Sequence, residues 1–276
     1  MKIFKRVFDF YLDGSIHVAL SCFALVRMTQ HLFEIPDGES MAYFAFFGTI
    51  VGYNFVKYDA LARTKKVKRN NQIIVIASLS FLAFLAGTLC FYRLERMTQI
   101  VSIAFLVLTL LYTLPFFPNK RNARNWAGIK IYIVAFCWVG VTLVLPIINA
   151  AIPMTPDFYL KAVQRFGLIF SLILIFEILD LKKDDPHLKT VPQQIGIKKT
   201  KILGYGLMVL FCALEWFNVA ANDSSIIQKK AIPLPFFAAI TVVLFLFFAS
   251  EKRSKYYTSF WVESIPIFWW LLLLLK

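Results

Sequence analysis

The sequence predicts an all-α, polytopic membrane protein with about nine transmembrane helices in a single domain, residues 1–276. Hydrophobic residues make up 59% of the chain, and the mean hydropathy is +0.67. Apolar runs repeatedly reach the roughly 20 residues that an α-helix needs to cross the hydrocarbon core of a bilayer. No linker rich in proline, glycine or serine separates these runs. We therefore expect one continuous bundle of membrane helices.

The candidate spans follow one another in order along the chain. The first contains Asp9, Asp13 and His17 and lacks a small-residue cleavage pattern, so we expect it to remain as a helix and not to be removed as a signal peptide. These three residues, spaced four apart, could line the mouth of a cavity. Alternatively, the acids favour a helix N-terminus and His17 is a satisfied core residue. The spans cover residues 9–33, 39–58, 72–91, 97–115, 128–150, 158–179, 201–221, 232–250 and 256–275.

The charge distribution predicts the orientation. The formal net charge is +14, from 30 basic and 16 acidic residues. In a soluble chain this balance would suggest nucleic acid, but most of the basic residues here fall at the N-terminus and in alternate loops. That asymmetry is the positive-inside pattern of membrane proteins. We expect a multi-pass protein of the bacterial inner (cytoplasmic) membrane, with a cytoplasmic N-terminus, in contact with the lipid bilayer and not with nucleic acid.

Three carboxylates stand where an apolar helix runs into a basic loop. Glu177, Asp180 and Asp184 occupy positions i, i+3 and i+7, so at about 100° per residue they share one helix face. Lys189-Thr190-Val191-Pro192 and Gly196 follow them. Carboxylates beside lysines suit a divalent cation that carries a diphosphate. The alternative is a solvated loop of mixed charge that caps a helix.

Two other polar elements stand at span ends. Asn54-Phe55-Val56-Lys57-Tyr58-Asp59 closes the second span, and Tyr112-Thr113-Leu114-Pro115 closes the fourth, with Lys120 and Arg121 just beyond. Long basic loops follow the second and the sixth spans, four spans apart. This repeat suggests two related halves whose loops lie over a shared cavity.

These elements resemble the motifs of the UbiA superfamily of intramembrane prenyltransferases. The second aspartate motif of that superfamily matches Glu177, Asp180 and Asp184 with the element that begins at Lys189, and its Tyr-Ser-x-Pro element is similar to residues 112–115. The resemblance implies a UbiA-like bundle around a central cavity. It also implies transfer of an isoprenoid chain from a prenyl diphosphate to an unknown acceptor, aromatic or another small lipid precursor.

The same resemblance implies the roles of individual residues. Asp180, Asp184 and Asn54 would be catalytic, and Mg²⁺ would be held by Glu177, Asp180 and Asp184. For any one lysine the alternative is an ordinary positive-inside charge, and for Tyr112 it is a place in the interfacial aromatic belt. The candidate substrate-binding residues are Lys57, Arg63, Tyr112, Lys120, Arg121 and Lys189.

The first motif departs from the superfamily pattern. Four and eight residues after Asn54, where the superfamily has aspartates, the chain has Tyr58 and Ala62. One hypothesis is that Lys57 and Arg63 supply the positive charge that a second Mg²⁺ provides elsewhere in the superfamily. The competing interpretation is a non-catalytic relative that binds an isoprenoid lipid or a protein partner. A secondary transporter ranks third, because the polar residues gather at one membrane face and not at mid-membrane.

Overall fold

The computed structural model describes residues 2–36, 38–63, 71–114, 128–221 and 233–275, without the side chains of residues 2, 59–63, 219–221 and 233. Lys120 and Arg121 therefore lie outside the described residues, as does the side chain of Arg63. Helices make up the described secondary structure, which agrees with the predicted all-α class. They are α1 (Lys2–Asp13), α2 (Ile16–Leu32), α3 (Glu39–Arg63), α4 (Asn71–Phe91), α5 (Arg96–Thr113), α6 (Lys130–Val139), α7 (Leu145–Asn149), α8 (Pro156–Asp180), α9 (Val191–Ala221), α10 (Pro233–Phe248) and α11 (Ser264–Leu274).

Helices stand at all nine predicted spans. Within the described residues, six helical segments are long and apolar enough to cross a bilayer, α1 and α2 together form a bent seventh candidate, and Leu234–Phe248 is a shorter apolar helix. Exposed side chains such as Phe81, Leu82 and Leu89 on α4 form the outer surface that a hydrocarbon core would cover. The chain is a multi-pass membrane protein.

The first predicted span is a bent pair of helices. The axes of α1 and α2 differ by 53°, and the break falls at Gly14 and Ser15, where Ser15 adopts a left-handed conformation with φ of 61°. Asp9 and Asp13 therefore lie on α1, whereas His17 lies on α2. The four-residue spacing does not place the three side chains on one continuous helix face.

The centre of the bundle is α8. Of the six candidate spans it has the largest buried share, 72% of its apolar window. Leu168, Leu174, Ile175 and Ile178 are fully buried in a cluster that includes side chains of α9, α10 and α11. This packing fixes the position of the carboxylates at the end of α8, because they extend from the most constrained helix of the fold.

Two π-helical segments interrupt the bundle, at Gly140–Val144 and Tyr257–Val262. Polar side chains of α2 hydrogen-bond to backbone carbonyls within or next to both of them. Thr29 Oγ1 donates to the Thr142 carbonyl at 2.7 Å, and His17 Nε2 lies 2.9 Å from the Phe260 carbonyl. Ser21 donates to the carbonyl of Glu263. The polar residues of α2 thus join the two segments through the interior, and His17 is a satisfied core residue.

Candidate functional site

The end of α8 turns directly into the start of α9. The Asp180 carbonyl accepts hydrogen bonds from the backbone N–H groups of Lys183, at 2.7 Å, and Asp184, at 2.9 Å. A short 3₁₀ turn follows at Pro186–Leu188, and Lys189 takes a left-handed conformation with φ of 45°. The segment that carries the predicted acids and Lys189 is therefore a compact turn at one end of the bundle.

Glu177 stabilises this turn. Its side chain is 3% exposed, and its Oε2 accepts the Val191 N–H at 3.0 Å. The Thr190 N–H in turn donates to Gln193 Oε1 at 2.9 Å. The first N–H groups of a helix have no partner within the helix, and negative charge is favourable at that end. Glu177 therefore acts as a buried acceptor for the start of α9, across 14 residues of sequence.

Asp180 and Asp184 have other partners. Asp180 Oδ1 lies 3.1 Å from Lys183 Nζ, with about half of the Asp180 side chain exposed, and Asp184 Oδ2 lies 4.0 Å from Lys130 Nζ. Among the described residues, no group of three or more His, Cys, Asp and Glu side chains could hold a metal ion. The three carboxylates do not fit a single Mg²⁺ ion in this arrangement, and the Mg²⁺ requirement stays a prediction from the resemblance.

A second loop reaches the same turn. The Gly128 N–H donates to the Leu188 carbonyl at 3.0 Å, so the described end of the loop that holds Lys120 and Arg121 contacts the residue before Lys189. Lys130, which follows that loop, was not a predicted site residue. Its position as the first residue of the next helix, beside a basic loop, was the available signal. Tyr112 is buried at the end of α5.

Asn54 belongs to a separate polar cluster at the α1–α2 bend. It is 3% exposed, and its Oδ1 accepts the Ser15 hydroxyl at 2.7 Å. Its Nδ2 donates to the Gly14 carbonyl at 3.1 Å and to Ser80 Oγ at 2.9 Å. Both donor hydrogens and the amide oxygen are engaged, so Asn54 holds the bend against α3 and α4.

Lys57 lies in a network of charges around α1. Its Nζ donates to the Asp13 carbonyl at 3.1 Å and lies 3.6 Å from Asp13 Oδ1. Lys255 Nζ lies 3.7 Å from the same carboxylate oxygen and 3.0 Å from Asp9 Oδ1, which also accepts the Tyr256 hydroxyl at 2.8 Å. The bond to Asp9 raises the pKa of Tyr256. Burial alone would lower the pKa of Lys255, but the bond to Asp9 and the charge of Asp13 outweigh it and raise that pKa above 10.5.

Comparisons with known proteins bear on the fold. No family model matches the chain, and no curated protein sequence matches it. A solved structure does match: the apo structure of a UbiA homolog from Aeropyrum pernix K1, with a TM-score of 0.62 and 14% sequence identity, over 95% of this chain and 98% of that chain. This chain has a UbiA-like fold. At that identity the likeness concerns the fold, and the roles of single residues rest on the geometry described above.

The UbiA-like fold accounts for the predicted helices and for the loops that meet at the α8–α9 turn. Asn54 and Lys57 of the first motif contact the bend after α1 and the end of α1, and their roles at the substrate stay predictions. Tyr58 and Ala62 stand where the superfamily has aspartates. The side chain of the nearby acid, Asp59, lies outside the described residues.

Proposed function

We propose that this protein is an intramembrane prenyltransferase that binds a prenyl diphosphate at the α8–α9 turn and transfers the isoprenoid chain to a small acceptor. The observation that carries the proposal is the contact between the two loops that the resemblance assigns to diphosphate, through Gly128 and Leu188 at 3.0 Å. The UbiA-like fold supports the general class. In the proposed orientation this end of the bundle faces the cytoplasm of a bacterium, where soluble acceptors and diphosphates are available.

The proposed reaction follows from the charges near the turn. The bond between the allylic carbon and the diphosphate oxygen breaks, and its electron pair leaves with the oxygen. The resulting carbocation is captured by an electron-rich atom of the acceptor, which then releases a proton. In this proposal Lys130 and Lys189 stabilise the departing negative charge, and the apolar helices exclude water from the carbocation. No step is assigned to a metal ion.

The first experiment is equilibrium binding of a non-hydrolysable farnesyl or geranylgeranyl diphosphate analogue to the protein purified in maltoside micelles, with and without Mg²⁺. We expect saturable binding that weakens about tenfold or more in Lys189→Ala, as for the loss of a charge-assisted contact. Asp180→Ala should weaken binding only when Mg²⁺ is present, since a carboxylate attracts a diphosphate only through a cation. Arg93→Ala, an exposed cation of the α4–α5 connection, is the matched control and should bind like the unaltered protein. Absence of binding under every condition would overturn the proposal.

A second candidate function is a non-catalytic protein that binds an isoprenoid lipid or a protein partner. It is favoured by the hydrogen bonds of Asn54 and Glu177, which use both side chains structurally. Release of pyrophosphate in the presence of candidate acceptors separates the two functions, since a binding protein releases none. The Lys57→Ala variant adds a further distinction. Weaker analogue binding would place Lys57 at the diphosphate, and unchanged binding would leave it as the partner of Asp13.

A further inference from the structure

A polar cavity lies at the end of the bundle opposite the α8–α9 turn. It has a volume of about 40 Å³ and lies between the first turns of α8, the last turns of α9 and α11, and the start of α10. Its polar wall includes Asp157, Lys161, Gln164 and Glu215. Charged side chains within membrane helices are costly and are commonly kept for a function, so this cluster requires an explanation.

One buried acceptor in the wall of the cavity has no hydrogen-bond donor in the described part of the chain. Glu215 is 7% exposed, and its Oε2 accepts both Lys161 Nζ, at 2.6 Å, and Gln164 Nε2, at 2.9 Å. Asp157 Oδ1 is buried without a hydrogen-bond partner among the described residues. A buried carboxylate oxygen without a donor costs free energy, and a ligand that donates hydrogen bonds would remove that cost.

The nearby cations are already engaged. Lys161 is paired with Glu215, and Arg165 points its guanidinium at neutral acceptors on α2 and on the π-helical segment after α6. Arg165 Nη1 donates to the Leu25 carbonyl at 3.2 Å and to Thr142 Oγ1 at 3.0 Å, and Nη2 donates to Thr29 Oγ1 at 3.3 Å. Asp157 Oδ1 therefore remains as an acceptor in the wall, and it would bind a hydrogen-bond donor and not an anion.

The rest of the wall is apolar and aromatic. Phe211 and Trp269 line the cavity with their ring centroids 6.0 Å apart, in an edge-to-face arrangement. Aromatic faces attract organic cations, and the alkyl chain of such a ligand would lie outside the cavity. A cavity of this volume has room for one group of about the size of a water molecule. An ammonium group has that size, and it has the N–H donor that Asp157 Oδ1 lacks.

We propose that this cavity binds the primary ammonium group of an amphipathic amine, with Asp157 and Glu215 as its acceptors. The amine is carried either by the headgroup of an aminophospholipid or by a free alkylamine. The site is separate from the α8–α9 turn and does not depend on prenyl transfer.

The test uses dodecylamine as the probe, with dodecyltrimethylammonium as its counterpart that has the charge and the chain but no N–H donors. Binding to the full chain in maltoside micelles is measured by titration calorimetry. We expect saturable binding of dodecylamine that is about tenfold tighter than that of the trimethylated probe and about tenfold weaker in Asp157→Asn. Glu34→Gln, at the same end but in a separate groove, should bind like the unaltered protein.

Removal of Glu215 alone would leave Lys161 buried without a partner, so the double variant Lys161→Met/Glu215→Gln is used to preserve the fold. It should also weaken binding of dodecylamine. Native mass spectrometry of the protein in mixed-lipid nanodiscs then distinguishes the sources, because retention of phosphatidylethanolamine over phosphatidylcholine indicates a lipid headgroup. Equal binding of the two dodecyl probes, equal effects of Asp157→Asn and Glu34→Gln, or no saturable binding would overturn the proposal and leave a site for water alone.

Discussion

At the level of single residues, Glu177 accepts a hydrogen bond at the start of α9, and this role can be tested separately from the negative charge of its side chain. Glu177→Ala removes the acceptor of the partly buried Val191 N–H and is expected to destabilise the protein by about 1–3 kcal/mol. Glu177→Gln keeps an oxygen at the same place and should cost less. Thermal unfolding in detergent, followed by size-exclusion chromatography, measures both variants.

Equal loss of stability in the two Glu177 variants would contradict its role at the start of α9. The ligand role implied by the resemblance would be supported if Glu177→Gln kept its stability but no longer bound the prenyl diphosphate analogue. The same binding assay therefore decides between a backbone acceptor and a ligand of the substrate or its ion.

The residue types of the site could be predicted from the sequence, but their partners could not. The spacing of Glu177, Asp180 and Asp184 predicts one shared helix face, but α8 ends at Asp180 and Asp184 lies in the turn beyond it. The spacing contains no information about the Val191 N–H or about Lys130, because those contacts depend on how the following turn folds back. Asn54 shows the same limit, since its partners Gly14 and Ser80 come from two other helices.

At the level of elements, α9 is broken where Gly196 has φ of 77° and ψ of 159°, a conformation that is essentially restricted to glycine. Gly196→Ala is expected to cost about 1–3 kcal/mol although no atom lies within 4 Å of the added methyl group. Gly206→Ala is the matched control, because its site is equally open but without a positive φ, so it should be neutral or slightly stabilising. Equal melting temperatures for the two variants would argue against a strained break.

The attachment of α1 predicts a dependence on alkaline pH. The raised pKa of Lys255 means that its bonds to Asp9 and Asp13 contribute fully below pH 10.5 and are lost as the pH rises through the folded-state pKa. Because Lys255 is about half exposed, Lys255→Met should cost at most about 1 kcal/mol near neutral pH. The difference in melting temperature between the two proteins should narrow as the pH rises above 10.5. A constant difference across this range would show that the ammonium charge is not what Lys255 contributes.

The helices themselves were the most predictable elements, because a run of about 20 apolar residues has few alternatives to a membrane helix. The interruptions of these helices were harder to predict from the sequence. The π-helical segment Gly140–Val144 lies within an apolar run, and it is stabilised by a side chain of another helix, Thr29 at Thr142. Hydropathy along the chain indicates which segments lie in lipid. It does not indicate which backbone carbonyl accepts a hydrogen bond from a side chain of another helix.

At the scale of the whole molecule, the structure divides the loops between two ends. Lys255 contacts Asp9 and Asp13, and Lys182 lies 2.9 Å from Glu251, so α1, the α8–α9 turn and residues 249–256 share one end. The Glu95 N–H donates to Asn149 Oδ1 at 3.0 Å, which joins two connections at the opposite end. Since the first end holds the basic loops, the positive-inside rule predicts that it is cytoplasmic.

This orientation is tested with single cysteines and a charged, membrane-impermeant maleimide. Ser254→Cys and Thr155→Cys mark the two ends in a background in which Cys22, Cys90, Cys137 and Cys212 are replaced by alanine. In right-side-out spheroplasts only Thr155→Cys should react, and in inverted vesicles only Ser254→Cys, because the reagent cannot cross the bilayer. The reverse pattern would place the α8–α9 turn outside the cell. A cytosolic pool of prenyl diphosphate could then not reach it, so that result would also contradict the proposed transferase.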